Sequence, residues 1–148
     1  VTALHLARPE DAERLLALIA ADRAERGLAP DPQGIAAALT PLLEGSPHGV
    51  AYLIGPQRAP IGHIVIGFGW SVDAGGLVGT VDQLFIRPGV RGRGIGQEVL
   101  SALPKALAAA GLTALTGEVA QDDTRTRAFL ARARFQDRPG RLLMTLPL

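Results

Sequence analysis

The reading of this chain turns on "VDQLFIRPGVRGRGIGQEVL", Val81 to Leu100. The stretch opens as an apolar strand and breaks at Pro88. It then runs through a loop in which Gly92, Gly94 and Gly96 alternate with Arg91, Arg93 and Ile95. A helix-like run follows. The first turn of a helix leaves backbone N–H groups without partners, and the helix dipole adds partial positive charge there. The glycines keep side chains off those amides, and the two arginines add charge and donors. Together they favour an anion, a pyrophosphate above all. The bland alternative is a basic surface turn that holds nothing.

Two familiar phosphate loops do not fit. A Walker loop requires Gly-Lys-Ser/Thr, and here Gly94 is followed by Ile95-Gly96. A dinucleotide fingerprint requires G-x-G-x-x-G, and its third glycine would fall on Gln97 or Val99. The pattern that fits is Arg91-x-x-Gly94-x-Gly96 after a strand. With "LFIRP" before it, this resembles the cofactor motif of the GNAT superfamily of N-acetyltransferases, Gln/Arg-x-x-Gly-x-Gly/Ala. The resemblance implies that the loop, Arg91, Gly92, Arg93, Gly94, Ile95 and Gly96, binds the pyrophosphate of acetyl-coenzyme A. It also implies that backbone groups of Leu84, Phe85 and Ile86 pair with the pantetheine arm. That arm would lie where their strand splays from the strand "LTALTGEV".

Working outward, Thr2–Leu6 reads as a strand. "RPEDAERLLALIAADRAERG" reads as a helix, with Pro9 in its first turn and Ala12, Leu15, Leu16 and Ile19 at helical spacing. A second helix follows Asp31-Pro32, with Ile35, Leu39, Leu42 and Leu43 on one face. "GVAYLIG", "IGHIVIGFGW" and "LVGTVDQLFI" read as an antiparallel meander, and Gly62, Gly67 and Gly69 suggest bulges or close backbone approach. After the loop come a helix from Gly94 to Ala110, the strand "LTALTGEV", the helix "DDTRTRAFLARARF" and a last strand, "RLLMTLPL". Pro104 predicts a kink or an early helix end near Leu100–Leu103. The order is β-α-α-β-β-β-α-β-α-β. This is an α/β (α+β) fold, a mixed and mostly antiparallel sheet with helices on both faces, in one domain spanning 1–148. The same order belongs to the GNAT superfamily.

Composition narrows the field. Apolar residues make up 47% of 148 and the net charge is +1, which fits a globular chain and argues against an electrostatic nucleic-acid binder. There is no cysteine, so disulfides, thiolate metal sites and a cysteine nucleophile are excluded. His5, His48 and His63 show no metal-ligand spacing and read as packing or surface residues. Apolar runs such as Ile61–Trp70 are too short to span a bilayer, and "VTALHLARPEDAERL" lacks the order of a secretion signal. A cytoplasmic protein without metal, nucleic-acid or membrane partner is expected. Strand edges and the apolar "LLMTLPL" point to a homodimer.

Acetyl transfer to an amine requires removal of a proton from the amine, polarisation of the carbonyl oxygen and protonation of the leaving thiolate. Members of the superfamily often use a glutamate near the strand before the loop as base, and a tyrosine in the last helix as acid. This chain departs at both places. Its strand reads Asp82-Gln83-Leu84 where relatives tend to read Asp-Glu-Leu. Gln83 can position substrate or water but cannot take a proton. Asp82 and Glu118 are the carboxylates nearest the expected cleft. For Asp82 the alternative is a sheet-edge partner to an arginine. Resemblance puts asparagine where Asp123 stands, tyrosine where Leu130 stands and glycine where Arg134 stands. Asp123 therefore reads as a cofactor contact or a helix cap. The only tyrosine, Tyr52, reads as a strand aromatic.

Two functional classes follow. One is an N-acetyltransferase that uses acetyl-coenzyme A as co-substrate and acts on a small amine or a peptide amino group. The other is a catalytically weakened GNAT-like domain that binds acyl-coenzyme A as sensor or assembly module. The acceptor site is expected around Arg26–Pro32, His48, Trp70 and Asp73.

Overall fold

The computed structural model describes residues 2–148. The chain divides into two compact units, Val1–Glu118 and Val119–Leu148. In the first, five strands are found among the described residues: β1 (Leu4–Leu6), β2 (Gly49–Ile54), β3 (Gly62–Ser71), β4 (Gly76–Ile86) and β5 (Ala114–Gly117). They form one sheet in the order β1-β2-β3-β4-β5. The first four are antiparallel neighbours, and β5 runs parallel to β4. That parallel pair is reached through a crossover helix, as parallel strands require.

Helix α1 (Ala12–Glu25) follows a single 3-10 turn over Pro9–Asp11. Pro9 starts that turn with its preset φ, as the sequence predicts. Asp11 closes it: its carboxylate accepts from the Arg8 N–H at 2.9 Å and from Arg14 at 2.6 Å. Helix α2 (Pro32–Leu43) starts on Asp31, whose side chain accepts from the Gly34 N–H at 3.1 Å. Both helices cover one face of the sheet. Leu15, Leu18, Ile19, Leu39 and Leu43 pack with Ala51, Leu53, Val65 and Phe85. Burying each of the larger of these side chains contributes about 1.5–3 kcal/mol.

Alternate strand residues point to the opposite face. There Ile54, Ile64 and Ile66 are also fully buried, and α3 (Ile95–Ala109) supplies Val99, Leu100, Leu103 and Leu107 as buried residues. The early end expected near Leu100–Leu103 is not found, because α3 runs on to Ala109 with Pro104 inside it. Pro104 cannot donate to the Leu100 carbonyl, but buried Leu103 and Leu107 on either side hold the helix to the core.

In the second unit, α4 (Thr124–Arg132) is capped by Asp123, whose carboxylate accepts from the Thr126 N–H at 3.0 Å. Arg134 follows in the left-handed region at φ 71°. The backbone there keeps the conformation that suits the glycine expected at this position. The last strand, expected over "RLLMTLPL", is absent: residues 141–148 form no regular element. A strand exists only through a ladder to a neighbour, and no other strand is found among residues 119–148. Pro147 also removes one donor.

Gly62 sits where β3 and β4 approach most closely. A Cβ there would meet the Phe85 carbonyl oxygen, whereas one on Gly67 would meet nothing within 4 Å. Gly62→Ala should therefore cost about 1–3 kcal/mol through forced strand separation, and Gly67→Ala should lie within about 0.5 kcal/mol of wild type. Urea denaturation of both variants is the check. Equal stabilities would mean that β3 and β4 are not held at this spacing.

Candidate active site

The β4–β5 pair ends abruptly. Its parallel ladder runs from Val78↔Ala114 to Val81↔Gly117 and stops. On the other side of β4 the antiparallel ladder continues to Gly62↔Ile86. Between Val65↔Gln83 and Ile66↔Val81 one β4 residue, Asp82, has no opposite number. It is a bulge, which bends the strand and increases its twist. The bulge falls one residue after the last β4–β5 rung, so the two strands part there. The glycines of β3 suggested a bulge, but the extra residue lies on β4.

The fork collects several of the residues singled out above. Asp82 and Glu118 each stand one residue beyond the last rung, and both are exposed. Neither has a hydrogen-bond or arginine partner among the described residues. The alternative reading of Asp82 as an arginine's partner is therefore not what the structure holds. Leu84, Phe85 and Ile86 continue β4 past the fork with no strand on the β5 side.

Beyond Ile86, a single 3-10 turn at Pro88–Val90 leads into the glycine loop. Gly92 and Gly94 take φ values of 78° and 79°, which L side chains rarely adopt. A Cβ at either would meet nothing within 4 Å, so space stands open over them. Gly94 is the N-cap of α3 and no side chain caps the helix. Among the described residues, the amides of residues 92–96 have no acceptor. A run of amides without partners among the described residues, two open left-handed glycines and the exposed Arg93 stand together here. Acetyl-coenzyme A fits this framework: phosphate against the amides, and an amide-bearing arm along the open edge of β4.

Arg91 is used differently from its neighbour. Its guanidinium donates to both oxygens of Glu25 at 2.8 Å and, through Nε, to the Ile86 carbonyl at 2.7 Å. Its Cζ lies 5.5 Å from the centre of the Phe85 ring. Arg91 therefore ties the loop to the end of β4 and to the C-terminal end of α1. The charge it was expected to offer phosphate is already paired, leaving Arg93 and the amides for an anion.

On the face covered by α1, Gln83 hydrogen-bonds His63 Nε2 at 3.0 Å. His63 is fully buried, its ring 5.9 Å from that of Phe85, and its Nδ1 has no partner. Burial holds its pKa below the ordinary 6.5, and the Arg26 charge adds to this. The hydrogen bond to Gln83 and the Asp22 carboxylate oppose the shift. Asp22 is itself buried and paired with Arg26 at 3.2 Å. The packing role open to His63 in the sequence is the one it takes, but nothing local marks its partner twenty residues away. Its alternation with buried neighbours on β3 was the only available signal.

The remaining expected residues are accounted for as follows. Asp123 caps α4, and the Thr126 N–H it accepts holds its carboxyl below the usual range. Leu130 is half-buried in α4. Tyr52 is a half-buried strand aromatic opposite Leu6. Of the expected acceptor region, the connection after α1 is fastened to it by Arg23, which donates to the Ala29 carbonyl at 2.7 Å. Trp70 is 76% exposed at the far end of β3, and His48 is exposed. Among the described residues there is no group of metal-ligating side chains and no helix long and apolar enough to cross a membrane.

Comparison with known proteins agrees with this geometry. The model of the acetyltransferase (GNAT) family matches residues 15–135. The chain belongs to that family. No curated protein matches it. Among solved structures, an integron cassette protein from the mobile metagenome of Cole Harbour Salt Marsh is 30% identical, with a TM-score of 0.85 over 98% of this chain and 90% of that one. AAC(6')-Iy, solved in complex with the bisubstrate analogue CoA-S-monomethyl-acetylneamine, shares the fold at 14% identity, with a TM-score of 0.78 over 100% and 99% of the two chains. A ribosomal-protein-alanine N-acetyltransferase from Brucella melitensis biovar Abortus 2308 does so at 15% identity and 0.76, over 100% and 99%.

Two measurements check the electrostatics described here. The Arg91–Glu25 pair is part-exposed, so a double-mutant cycle with Arg91→Ala and Glu25→Ala should give a coupling of about 0.2–1 kcal/mol. Zero coupling would show that the pair is not held in solution. His63 has a folded-state pKa below its unfolded one, so its contribution is complete above the unfolded value and is lost as pH falls toward the folded one. Stability should drop as pH falls below the unfolded value of about 6.5, and His63→Gln should flatten that slope. An unchanged slope would mean that His63 does not resist protonation in the fold.

Proposed function

We propose that this protein is an N-acetyltransferase that moves the acetyl group of acetyl-coenzyme A to a primary amine of a small molecule or a peptide, as one catalytic domain over 1–148. The observation that carries the reading is the alignment of two free surfaces: the unused amides of residues 92–96 and the open β4 edge at Leu84–Ile86. Acetyl-coenzyme A supplies an activated acyl group on a good leaving thiol. In the transfer a C–N bond forms as the C–S bond breaks, the amine loses a proton and the sulfur gains one.

The chain's own residues take defined parts. The loop amides and Arg93 hold phosphate. Because Arg91 already binds the Ile86 carbonyl, the edge offered to the pantetheine amides is the stretch before it. Asp82 and Glu118, free at the fork, receive the amine's proton through water. Gln83, which cannot take a proton, orients a reacting group. A thiol's unperturbed pKa is about 8.5, so the thiolate leaves without an acid in the position where Leu130 stands. The aminoglycoside and ribosomal-protein enzymes of the same fold support an amine acceptor in general and single out none.

The observation that Gln83 replaces a base and is engaged with His63 favours one second reading, an acyl-coenzyme A-binding module with little turnover. Release of free thiol with a panel of amines separates the two.

Coenzyme A at about 100 times its dissociation constant should stabilise the fold by roughly 2.7 kcal/mol. Gly94→Glu should abolish the resulting rise in melting temperature by placing bulk and negative charge over the cradle. A folded Gly94→Glu protein that still binds like wild type would overturn the assignment of the loop.

A further inference from the structure

The His63–Gln83 pair carries information that neither residue type carries alone. His63 is buried at 0% exposure, and its two ring nitrogens are in different situations: Nε2 faces Gln83 Oε1 at 3.0 Å, and Nδ1 has no hydrogen-bond partner among the described residues. A neutral imidazole bears one proton. If the proton sat on Nδ1, a buried N–H would have no acceptor, and Nε2 would need Gln83 turned to present its NH2. If it sits on Nε2, only a lone pair goes unmatched. Bare buried N–H groups are the rarer and costlier defect, so the proton belongs on Nε2. Gln83 Oε1 is then an acceptor already in use, and the free end of its amide is NH2, a donor.

The charged groups around the ring do not change this. On α1, Asp22 and Arg26 face it as an ion pair with each other. On β4, only Gln83 and the Phe85 ring are against it. Burial, with the Arg26 charge, outweighs the opposing Asp22 carboxylate and favours the neutral imidazole, consistent with its lowered pKa. Gln83 itself is only half-buried, and it stands one residue past the Asp82 bulge at the mouth of the fork.

We propose that His63 is a positioning residue that fixes Gln83 as a hydrogen-bond donor toward the fork, and that Gln83 selects acceptor amines carrying an oxygen beside the amino group. A donor is poorly suited to the amine itself. An ammonium has no lone pair to accept with, and a neutral amine must keep its lone pair for attack. An oxygen, as hydroxyl, carboxamide or carboxylate, is the matching group. The inference rests on the acetyl-transfer reading for the identity of the fork as the acceptor site, but it concerns binding and can be measured without turnover.

The experiment uses the full chain saturated with coenzyme A. Nitrogen NMR of 15N-histidine-labelled protein reads the His63 tautomer. The Gln83 side-chain NH2 signals are assigned by their loss in Gln83→Met. 2-Aminoethanol and propylamine, equal in heavy-atom count and differing in one oxygen, are the probes. The expected results are a neutral Nε2–H tautomer, and a Gln83 NH2 shift with 2-aminoethanol that propylamine does not produce. Affinity for 2-aminoethanol should fall about tenfold in Gln83→Met, the loss of one hydrogen bond of roughly 1.4 kcal/mol. It should fall less in His63→Asn, which keeps a donor, than in His63→Leu. An Nδ1–H tautomer, or equal Gln83 shifts with both amines, or none with either, would overturn the proposal. Selective binding without acetyl transfer would overturn the enzymatic reading and leave this one standing.

Discussion

The function of this fold depends on a ladder that stops. β4 and β5 are parallel partners for four rungs and then separate at Val81/Gly117, because Asp82 is inserted into β4 as a bulge. A sheet normally hides its backbone in pairing, and an exposed edge is a hazard for aggregation. Here a short length of edge is opened inside the sheet rather than at its margin. β3 continues to hold the other side of β4 as far as Ile86, so the opened strand stays rigid. The same insertion brings Asp82, Glu118 and Gln83 to the point of separation.

The glycine loop follows from that rigid strand. It begins a few residues after Ile86, and Arg91 fastens it back to the Ile86 carbonyl, the Phe85 ring and Glu25 of α1. A loop with so many glycines would otherwise lose much conformational entropy on ordering around a ligand. Tying it at Arg91 preorganises the amides of residues 92–96 while leaving them unpaired. The same ion pair joins the glycine loop to the C-terminal end of α1. One charged residue is thus given to shaping the loop and the other, Arg93, remains outward.

The polar groups beneath the sheet follow another logic. His63, Asp22 and Gln83 are set among apolar residues where an unmatched group is costly. Asp22 answers Arg26, and Gln83 answers one nitrogen of His63, which leaves Nδ1 bare. That single defect decides the tautomer and, through it, which end of the Gln83 amide is free.

Much of this was legible in the chain. The spacing of Arg91, Gly94 and Gly96 after a strand and before a helix specified the loop conformation, because left-handed glycines and a helix start are local matters of φ and unpaired N–H groups. The order of the first nine elements was readable from periodicity and turn residues for the same reason, and Asp82 and Glu118 could be named as the carboxylates nearest the expected cleft. Other features depend on residues far apart in sequence. His63 meets Gln83, and Arg91 meets Glu25, only because register and helix docking bring them together. The β4 bulge is defined by counting β4 against β3, which neither strand records alone. Pro104 reads locally as a break, yet buried Leu103 and Leu107 outweigh it. The C-terminal segment has the composition of a strand, but a strand is a relation between two segments. The sequence determined the conformations that single residues prefer, and the tertiary structure decided every pairing, since a hydrogen bond or ion pair exists only where folding places its two halves within reach.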